Sequence, residues 1–140
     1  MSKADTKGKT TEAEAFGDLP LQIQQAAHAA QDKKALDLAV LDVREVSSFT
    51  DYFVICSGQT ARQVKAIADG VEETLLAARV TPAHVEGYDR AEWVLLDYFD
   101  FIVHVFTPAM RDFYALERLW GSAGHIAVPE PGPGGGEPRR

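Results

Sequence analysis

A short, uninterrupted apolar run from Tyr52 to Cys56 constrains the fold of this chain more than any other feature. Consecutive β-branched and aromatic residues are typical of a strand that is covered on both faces. An amphipathic helix pattern follows almost at once, with Thr60 as its cap and Gln63 at capping-box spacing. The apolar positions of this second pattern recur at helical spacing: Val64, Ile67, Ala68, Val71 and Leu75. The run therefore predicts a central strand that leads into a helix, and hence an α/β domain.

The flanking segments add further elements to this core. Residues 21–30 form an Ala-rich helix pattern opened by Asp18 and Pro20, and residues 36–43 alternate as in a strand with one face more buried. Downstream, the patterns predict a short strand over 82–86, a turn at Gly87, and a hairpin whose strands are 92–98 and 101–106. The fold class predicted from this order is α/β, with a mixed β-sheet flanked by helices.

A last helix is predicted after the hairpin. Thr107 and Pro108 supply its cap and first turn, and Gly121 closes it. Its apolar positions recur at helical spacing and are expected mainly in the core: Met110, Phe113, Leu116 and Trp120.

The two ends of the chain differ from its middle in composition. Residues 1–18 lack apolar periodicity, and residues 129–140 are rich in Pro and Gly. Such segments cannot bury enough apolar area to offset the entropy lost on ordering. We expect a flexible N-terminal extension over 1–18, one folded domain over 19–128, and a disordered tail over 129–140.

The charge of the chain argues against a nucleic-acid partner. The sequence has 14 basic and 21 acidic side chains, a net charge of −7, and nearly all of the excess falls within the predicted domain. Nucleic-acid binding draws much of its affinity from Lys and Arg that neutralise phosphates. A basic protein partner suits this acidic domain better.

The sequence offers no convincing catalytic set. The single cysteine, Cys56, excludes an internal disulfide and is expected to be an inert buried thiol, while His104 is expected to be a hydrogen-bonded sheet histidine. The Ser57-Gly58 junction has too few glycines for a phosphate cradle. Asp97 and Asp100 flank a tight turn, where carboxylates bind a metal less often than they form the turn. We expect no enzyme activity, no cofactor and no metal.

The sequence shows no recognisable targeting signal, which agrees with its single cysteine. No apolar run approaches the roughly 20 residues that cross a bilayer. The first residues also lack the apolar core of a signal peptide. A cytoplasmic protein is the default expectation.

Aromatic and acidic residues cluster around the predicted hairpin. Trp and Tyr are enriched among residues that dominate binding energies, and acidic neighbours such as Asp89 and Glu92 favour an exposed surface. Core packing of Trp93 is an equally good interpretation from sequence. The partner-binding surface predicted here comprises Tyr88, Trp93, Leu95, Asp97, Tyr98 and Asp100.

Several blocks of the chain together resemble one protein family. They are residues 49–58 (FTDYFVICSG), 62–68 (RQVKAIA), 85–88 (VEGY), 92–98 (EWVLLDY), 103–106 (VHVF) and 113–120 (FYALERLW). In order and spacing, from Leu21 to Gly121, they closely resemble the ribosomal silencing factor family, also called RsfS or Iojap.

The resemblance implies a domain related to the nucleotidyltransferase fold, without catalytic activity and usually homodimeric. It implies binding to the large ribosomal subunit through ribosomal protein uL14, the fourteenth in the universal naming, on the face that meets the small subunit. Such binding blocks subunit joining and represses translation under nutrient limitation. Two alternatives remain: a divergent metal-dependent nucleotidyltransferase that uses Asp97 and Asp100, and a general dimeric adaptor.

The chain departs from the family at one position. The family usually has a small residue, often Gly, where this chain has Phe99 in the turn between the hairpin strands. A Phe tolerates positive φ poorly, so a different turn type is expected here.

Overall fold

The computed structural model describes residues 12–119, 121 and 123–130. In chain order its elements are α1 (Glu12–Gly17), α2 (Leu21–Asp32), β1 (Leu36–Asp42), β2 (Tyr52–Ser57), α3 (Ala61–Ala77), β3 (His84–Glu86), β4 (Trp93–Asp97), β5 (Phe101–Phe106), α4 (Pro108–Tyr114), α5 (Leu116–Leu119) and β6 (Gly124–Ala127). Among these residues, none of the helices has the length and apolarity to span a membrane.

The strands form one six-stranded sheet in the order β3-β4-β5-β2-β1-β6. β2 and β5 run parallel, whereas the other neighbouring strands are antiparallel. The predicted mixed sheet is therefore confirmed. β2 is an interior strand and every one of its residues is buried, as its continuous apolar run predicted.

Helices α2 and α3 cover one face of the sheet, which we call the helix face. Thr60 caps α3 as predicted, because its Oγ1 accepts a hydrogen bond from the Gln63 backbone N–H at 3.1 Å. The Gln63 side chain reaches back to accept from the Gln59 N–H at 2.7 Å. The core of this face is mainly aliphatic and includes Val54, Ile67, Val71, Leu75, Val94 and Val103.

The opposite face of the sheet, which we call the second face, has a smaller cluster. Its buried members include Leu41, Phe53, Ile55, Ile102 and Phe106. Leu116 of α5 is buried among them, and Trp93, Leu95 and Met110 pack against the cluster while remaining partly exposed. This face is thus covered by short segments and single side chains rather than by long helices.

The prediction of one continuous last helix with a core-facing stripe was wrong. The helix is interrupted at Ala115, which has a left-handed backbone (φ 44°) and separates α4 from α5. Phe113 and Leu116 consequently no longer share a face: Leu116 is buried, but Phe113 is 76% exposed. Trp120 lies outside the described residues.

The N-terminal boundary also differs from the prediction. Part of the predicted flexible extension is helical, because α1 lies within 1–18 and its Phe16 is buried against the His28 ring at a centroid distance of 5.5 Å. The Gln24 side chain donates to the Gly17 and Leu19 carbonyls just after this helix. Near the other end, β6 pairs with β1 and was not predicted. Residues 1–11 and 131–140 lie outside the described residues, so their flexibility stays a prediction.

Candidate functional site

Trp93 lies at the first position of β4, at the margin of the second-face cluster. Its ring stacks on Phe106 with centroids 5.0 Å apart and packs against Tyr114 at 4.5 Å. Its indole Nε1 donates a hydrogen bond to Nδ1 of His104 at 3.0 Å. Trp93 remains half-buried. It is therefore neither a fully buried core residue nor a free surface residue, but an oriented side chain with part of its ring exposed.

His104 fixes this orientation from beneath. It is 4% exposed and also packs edge-on against Phe53 at 4.8 Å, which confirms the predicted hydrogen-bonded sheet histidine. Burial lowers the pKa of His104 to about 3. Because Nδ1 accepts from Trp93, the neutral ring carries its proton on Nε2. That buried nitrogen has no hydrogen-bond partner among the described residues.

Leu95 and Asp97 share the second face with Trp93, since alternate residues of a strand point to the same side. Leu95 is half-buried against the cluster. The Asp97 carboxylate accepts a hydrogen bond from the Phe99 N–H at 2.8 Å. Across the ladder, Leu95 pairs with Glu86 of the exposed edge strand β3, which adds a further carboxylate to this margin.

The remaining predicted site residues lie elsewhere. Tyr98 follows Asp97 by one residue, so it points to the helix face, where it is buried and stacks on Phe101 at 5.0 Å. The Tyr88 hydroxyl donates to Asp69 of α3 at 3.1 Å. Asp100 is exposed at the turn. The prediction that all six residues form one surface was therefore wrong in this respect: Trp93, Leu95 and Asp97 share a face, and both tyrosines lie on the helix side.

The structure adds two aromatic residues to the site. Phe113 was predicted to be buried, and Tyr114 was not among the predicted site residues. Tyr114 is 43% exposed and contacts Trp93, while Phe113 packs edge-on against Tyr114 at 5.0 Å. We call Trp93, Leu95, Phe113 and Tyr114 the aromatic surface. Two adjacent residues of a helix can both lie within an apolar stripe, so the sequence alone did not distinguish this exposed pair from a core-facing one.

The hairpin turn between β4 and β5 has an unusual backbone. Phe99 has φ +72°, so it adopts positive φ despite its bulk. The Asp100 N–H donates to the Tyr98 carbonyl at 2.9 Å, an i to i+2 hydrogen bond of the γ-turn type. The Thr50 hydroxyl donates to the Phe99 carbonyl at 2.8 Å and so joins this turn to the connection before β2.

The Ser57-Gly58 junction is structural. The Ser57 hydroxyl is buried and accepts from Arg111 at 3.1 Å, and the same guanidinium donates to Glu117. A Cβ on Gly58 would lie 2.9 Å from the Val64 backbone nitrogen, so glycine is required for close approach of α3. The adjacent cleft has a volume of about 560 Å³ and is also lined by Asp37 and Asp112. Arg111 and Arg118 also line the cleft, and Arg111 is already paired with Glu117.

The two other candidate chemistries are a metal site and a reactive cysteine. Within the described part of the chain, no group of three or more His, Cys, Asp or Glu side chains is placed to hold a metal ion. Asp97, half of the pair considered for a metal, already accepts a backbone hydrogen bond in the turn. Cys56 is fully buried, and burial raises the pKa of its thiol to about 12, as expected of an inert cysteine.

Comparison with known proteins agrees with the resemblance carried by the sequence blocks. The family described as "Ribosomal silencing factor during starvation" matches residues 18–138. The chain belongs to this family. A ribosomal silencing factor of Bacillus subtilis is 43% identical over 98 residues, which cover 70% of this chain and 83% of that protein.

Two further similarities extend the comparison. A mouse protein named "Mitochondrial assembly of ribosomal large subunit protein 1" is 32% identical over 93 residues, covering 64% of this chain and 41% of that protein. A crystal structure of a Chromobacterium violaceum protein has a TM-score of 0.71 at 35% identity and covers 86% of this chain and 97% of that one. The overall fold is thus similar to that of a solved structure that also shares 35% of its sequence with this chain.

Proposed function

We propose that this chain binds the large ribosomal subunit through ribosomal protein uL14, on the face that meets the small subunit, and thereby blocks subunit joining. Membership of the ribosomal silencing factor family supports a role on the ribosome. The name of the mouse relative refers to the large subunit in particular. The resulting repression of translation would operate under nutrient limitation, in the cytoplasm.

The observation that carries the choice of docking site is the fixed, half-exposed Trp93 at the centre of the aromatic surface. Oriented aromatic side chains lose little conformational entropy on binding and often dominate interface energies. Phe106 and Tyr114 pack against the indole, and His104 accepts a hydrogen bond from its Nε1. Phe113, exposed beside Tyr114, enlarges the apolar area offered to a partner.

The charge around this surface favours a basic partner. Glu86 and Asp97 lie on the same face along the β3–β4 margin, and Asp100 is exposed at the end of the hairpin. Complementary charge chiefly raises the rate of encounter and disfavours wrong partners. The apolar centre and acidic margin together suit a protein surface with both apolar and basic side chains.

The mechanism proposed is steric exclusion and requires no chemical step. A folded domain docked on the joining face of the large subunit occupies the space that the small subunit needs. Inhibition then depends only on occupancy, so it should saturate with binding and reverse on dissociation. We propose that the free protein is a homodimer.

Subunit joining measured on sucrose gradients tests this proposal. Purified large and small subunits, mixed with increasing amounts of the protein, should give fewer joined ribosomes, with the protein sedimenting in the large-subunit fraction. Unchanged joining at saturating protein would contradict the proposal. Crosslinking of the bound protein followed by mass spectrometry should identify uL14 as the contacted protein.

Trp93→Ala tests the proposed surface. We expect about 2 kcal/mol or more of binding free energy to be lost, which corresponds to a dissociation constant raised roughly 30-fold. Because Trp93 also packs on Phe106, circular dichroism must show that the variant is folded at the assay temperature. Leu21→Ala is the matched control, since Leu21 is 67% exposed on α2, away from the aromatic surface.

A further inference from the structure

The hairpin turn contains a bulky residue in a conformation that bulky residues avoid. Phe99 has φ +72°, a region that glycine occupies freely and that strains a residue with a Cβ. Two hydrogen bonds hold it there. The Phe99 N–H donates to the Asp97 carboxylate, and the Thr50 hydroxyl donates to the Phe99 carbonyl. The chain therefore carries a strain in this turn that a glycine would remove and an asparagine would reduce.

Packing of the Phe99 side chain does not offset this backbone strain. It is 70% exposed, so most of its apolar area stays in water in the free protein. A second large apolar residue, Phe49, is 61% exposed and directly precedes Thr50, whose hydroxyl bonds to the Phe99 carbonyl. Two phenylalanine side chains are thus presented at the same end of the sheet. We call residues 49–51 and 97–100 the hairpin tip.

The charge of the hairpin tip is of one sign. The hairpin tip contains Asp51, Asp97 and Asp100, and no Lys or Arg. The neighbouring base, Arg44, is paired with Asp42 at 2.7 Å. An apolar pair with acidic neighbours fits a protein surface that offers an apolar depression between basic side chains, and it would repel an RNA backbone.

We propose that the hairpin tip is a second anchor for the basic ribosomal protein, with Phe99 inserted into that protein when the chain docks on the large subunit. This inference rests on the proposed function and adds to it a contact separate from the aromatic surface. The two regions are continuous along β4, because Trp93, Leu95 and Asp97 lead along one face to the turn. The strain at Phe99 is then retained because the exposed ring contributes to binding.

The Phe99→Asn substitution tests this proposal by separating stability from affinity. Asn tolerates positive φ and removes the apolar ring. We expect a melting temperature raised by roughly a few degrees, as strain is relieved, together with a dissociation constant for purified large subunits raised about tenfold. Leu21→Ala, which removes a comparably exposed apolar side chain on α2, should leave that dissociation constant unchanged.

The outcomes are distinguishable from failure of the proposed function. Wild-type protein that binds large subunits while Phe99→Asn binds equally well would overturn the second anchor alone. A melting temperature that falls in Phe99→Asn would also overturn it, because the ring would then be stabilising the free fold. Wild-type protein that does not bind large subunits would overturn the proposed function and this inference with it.

Discussion

The two faces of the sheet are built from the same strands but differ in how they are covered. On the helix face, α2 and α3 cover the sheet and leave residues such as Ile67, Val71 and Val103 fully buried. On the second face, short helices and single side chains cover the cluster, and Trp93 and Leu95 remain partly exposed. The alternation of side chains along β4 supplies both faces from one short strand.

Both faces of the sheet bury polar groups. The helix face buries Cys56, a group that behaves as a small apolar residue. The second face buries His104, whose Nδ1 orients Trp93 while Nε2 has no partner among the residues described. A buried unpaired nitrogen costs stability. The helix side also has unpaired buried oxygens, on Tyr98 and on Gln25 of α2, so the two faces differ in the exposure of their aromatic side chains rather than in unpaired polar groups.

The largest expected effect is a core truncation on the helix face. Ile67→Ala removes a fully buried side chain from α3, and we expect about 2 to 5 kcal/mol less free energy of unfolding. Chemical denaturation measures this loss directly. Affinity for large subunits, measured where the variant is folded, should be unchanged.

Leu95→Ala is the counterpart on the second face. Because Leu95 is half-buried, its truncation should cost less stability than Ile67→Ala but should weaken large-subunit binding. If Ile67→Ala weakens binding as much as Leu95→Ala does, the division of roles between the faces is wrong.

Gly87→Ala is expected to have the next largest effect. Gly87 has φ +81°, and a Cβ there would lie 2.0 Å from the Trp93 carbonyl oxygen. The obstacle is backbone, so the start of β4 must shift, at a cost of about 2 to 3 kcal/mol in unfolding free energy. Thermal unfolding measures this cost, and displacement of Trp93 should also weaken binding.

Gly17→Ala is the control for that substitution. A Cβ at Gly17 would meet no atom within 4 Å. Its unfolding free energy should stay within about 0.5 kcal/mol of the wild type, as for an ordinary surface change. Equal losses at the two glycines would show that close approach to Trp93 is not the cause.

The helix face could be predicted from sequence because its signals are local. A continuous apolar run predicted β2, and apolar residues at helical spacing after the Thr60 cap predicted α3. The second face depends on features with no local signal. Ala115 has no sequence property that favours a left-handed backbone, yet its φ of 44° ends α4 and exposes Phe113.

The candidate site was predicted only in part for a similar reason. Trp93 and Asp97 were assigned to the correct strand, and the alternation of side chains along that strand already separates Tyr98 from them. Tyr98 points to the other side because it is one residue beyond Asp97. Tyr114 reaches Trp93 only because α4 packs beside β5, a tertiary contact that no spacing along the chain encodes.

A pH titration of stability tests the cost of the buried histidine. Burial lowers the pKa of His104 to about 3, compared with about 6.5 in an unfolded chain. Between these values the unfolded state binds a proton that the folded state does not, so stability falls as pH falls from about 6.5 towards 3. At pH 5 we expect roughly 2 kcal/mol less unfolding free energy than at pH 8 from this group.

His104→Gln isolates that contribution, because Gln does not titrate and its oxygen can accept from the Trp93 indole. The variant should lose the His104 part of the slope between pH 8 and pH 5, whereas slopes from carboxylates remain. Identical slopes in wild type and variant would mean that His104 is not held neutral by the second face.

The smallest expected effect is loss of the α3 cap on the helix face. Thr60→Ala removes the acceptor for the Gln63 N–H, and we expect about 1 kcal/mol less unfolding free energy. Thr81→Ala, at an exposed threonine outside any helix or strand, should change stability by less than about 0.5 kcal/mol. Both variants should bind large subunits like the wild type, because neither alters the second face. Weakened binding in Thr60→Ala alone would show that the order of α3 is transmitted through the sheet to the aromatic surface, and the two faces would then have to be treated as one coupled unit.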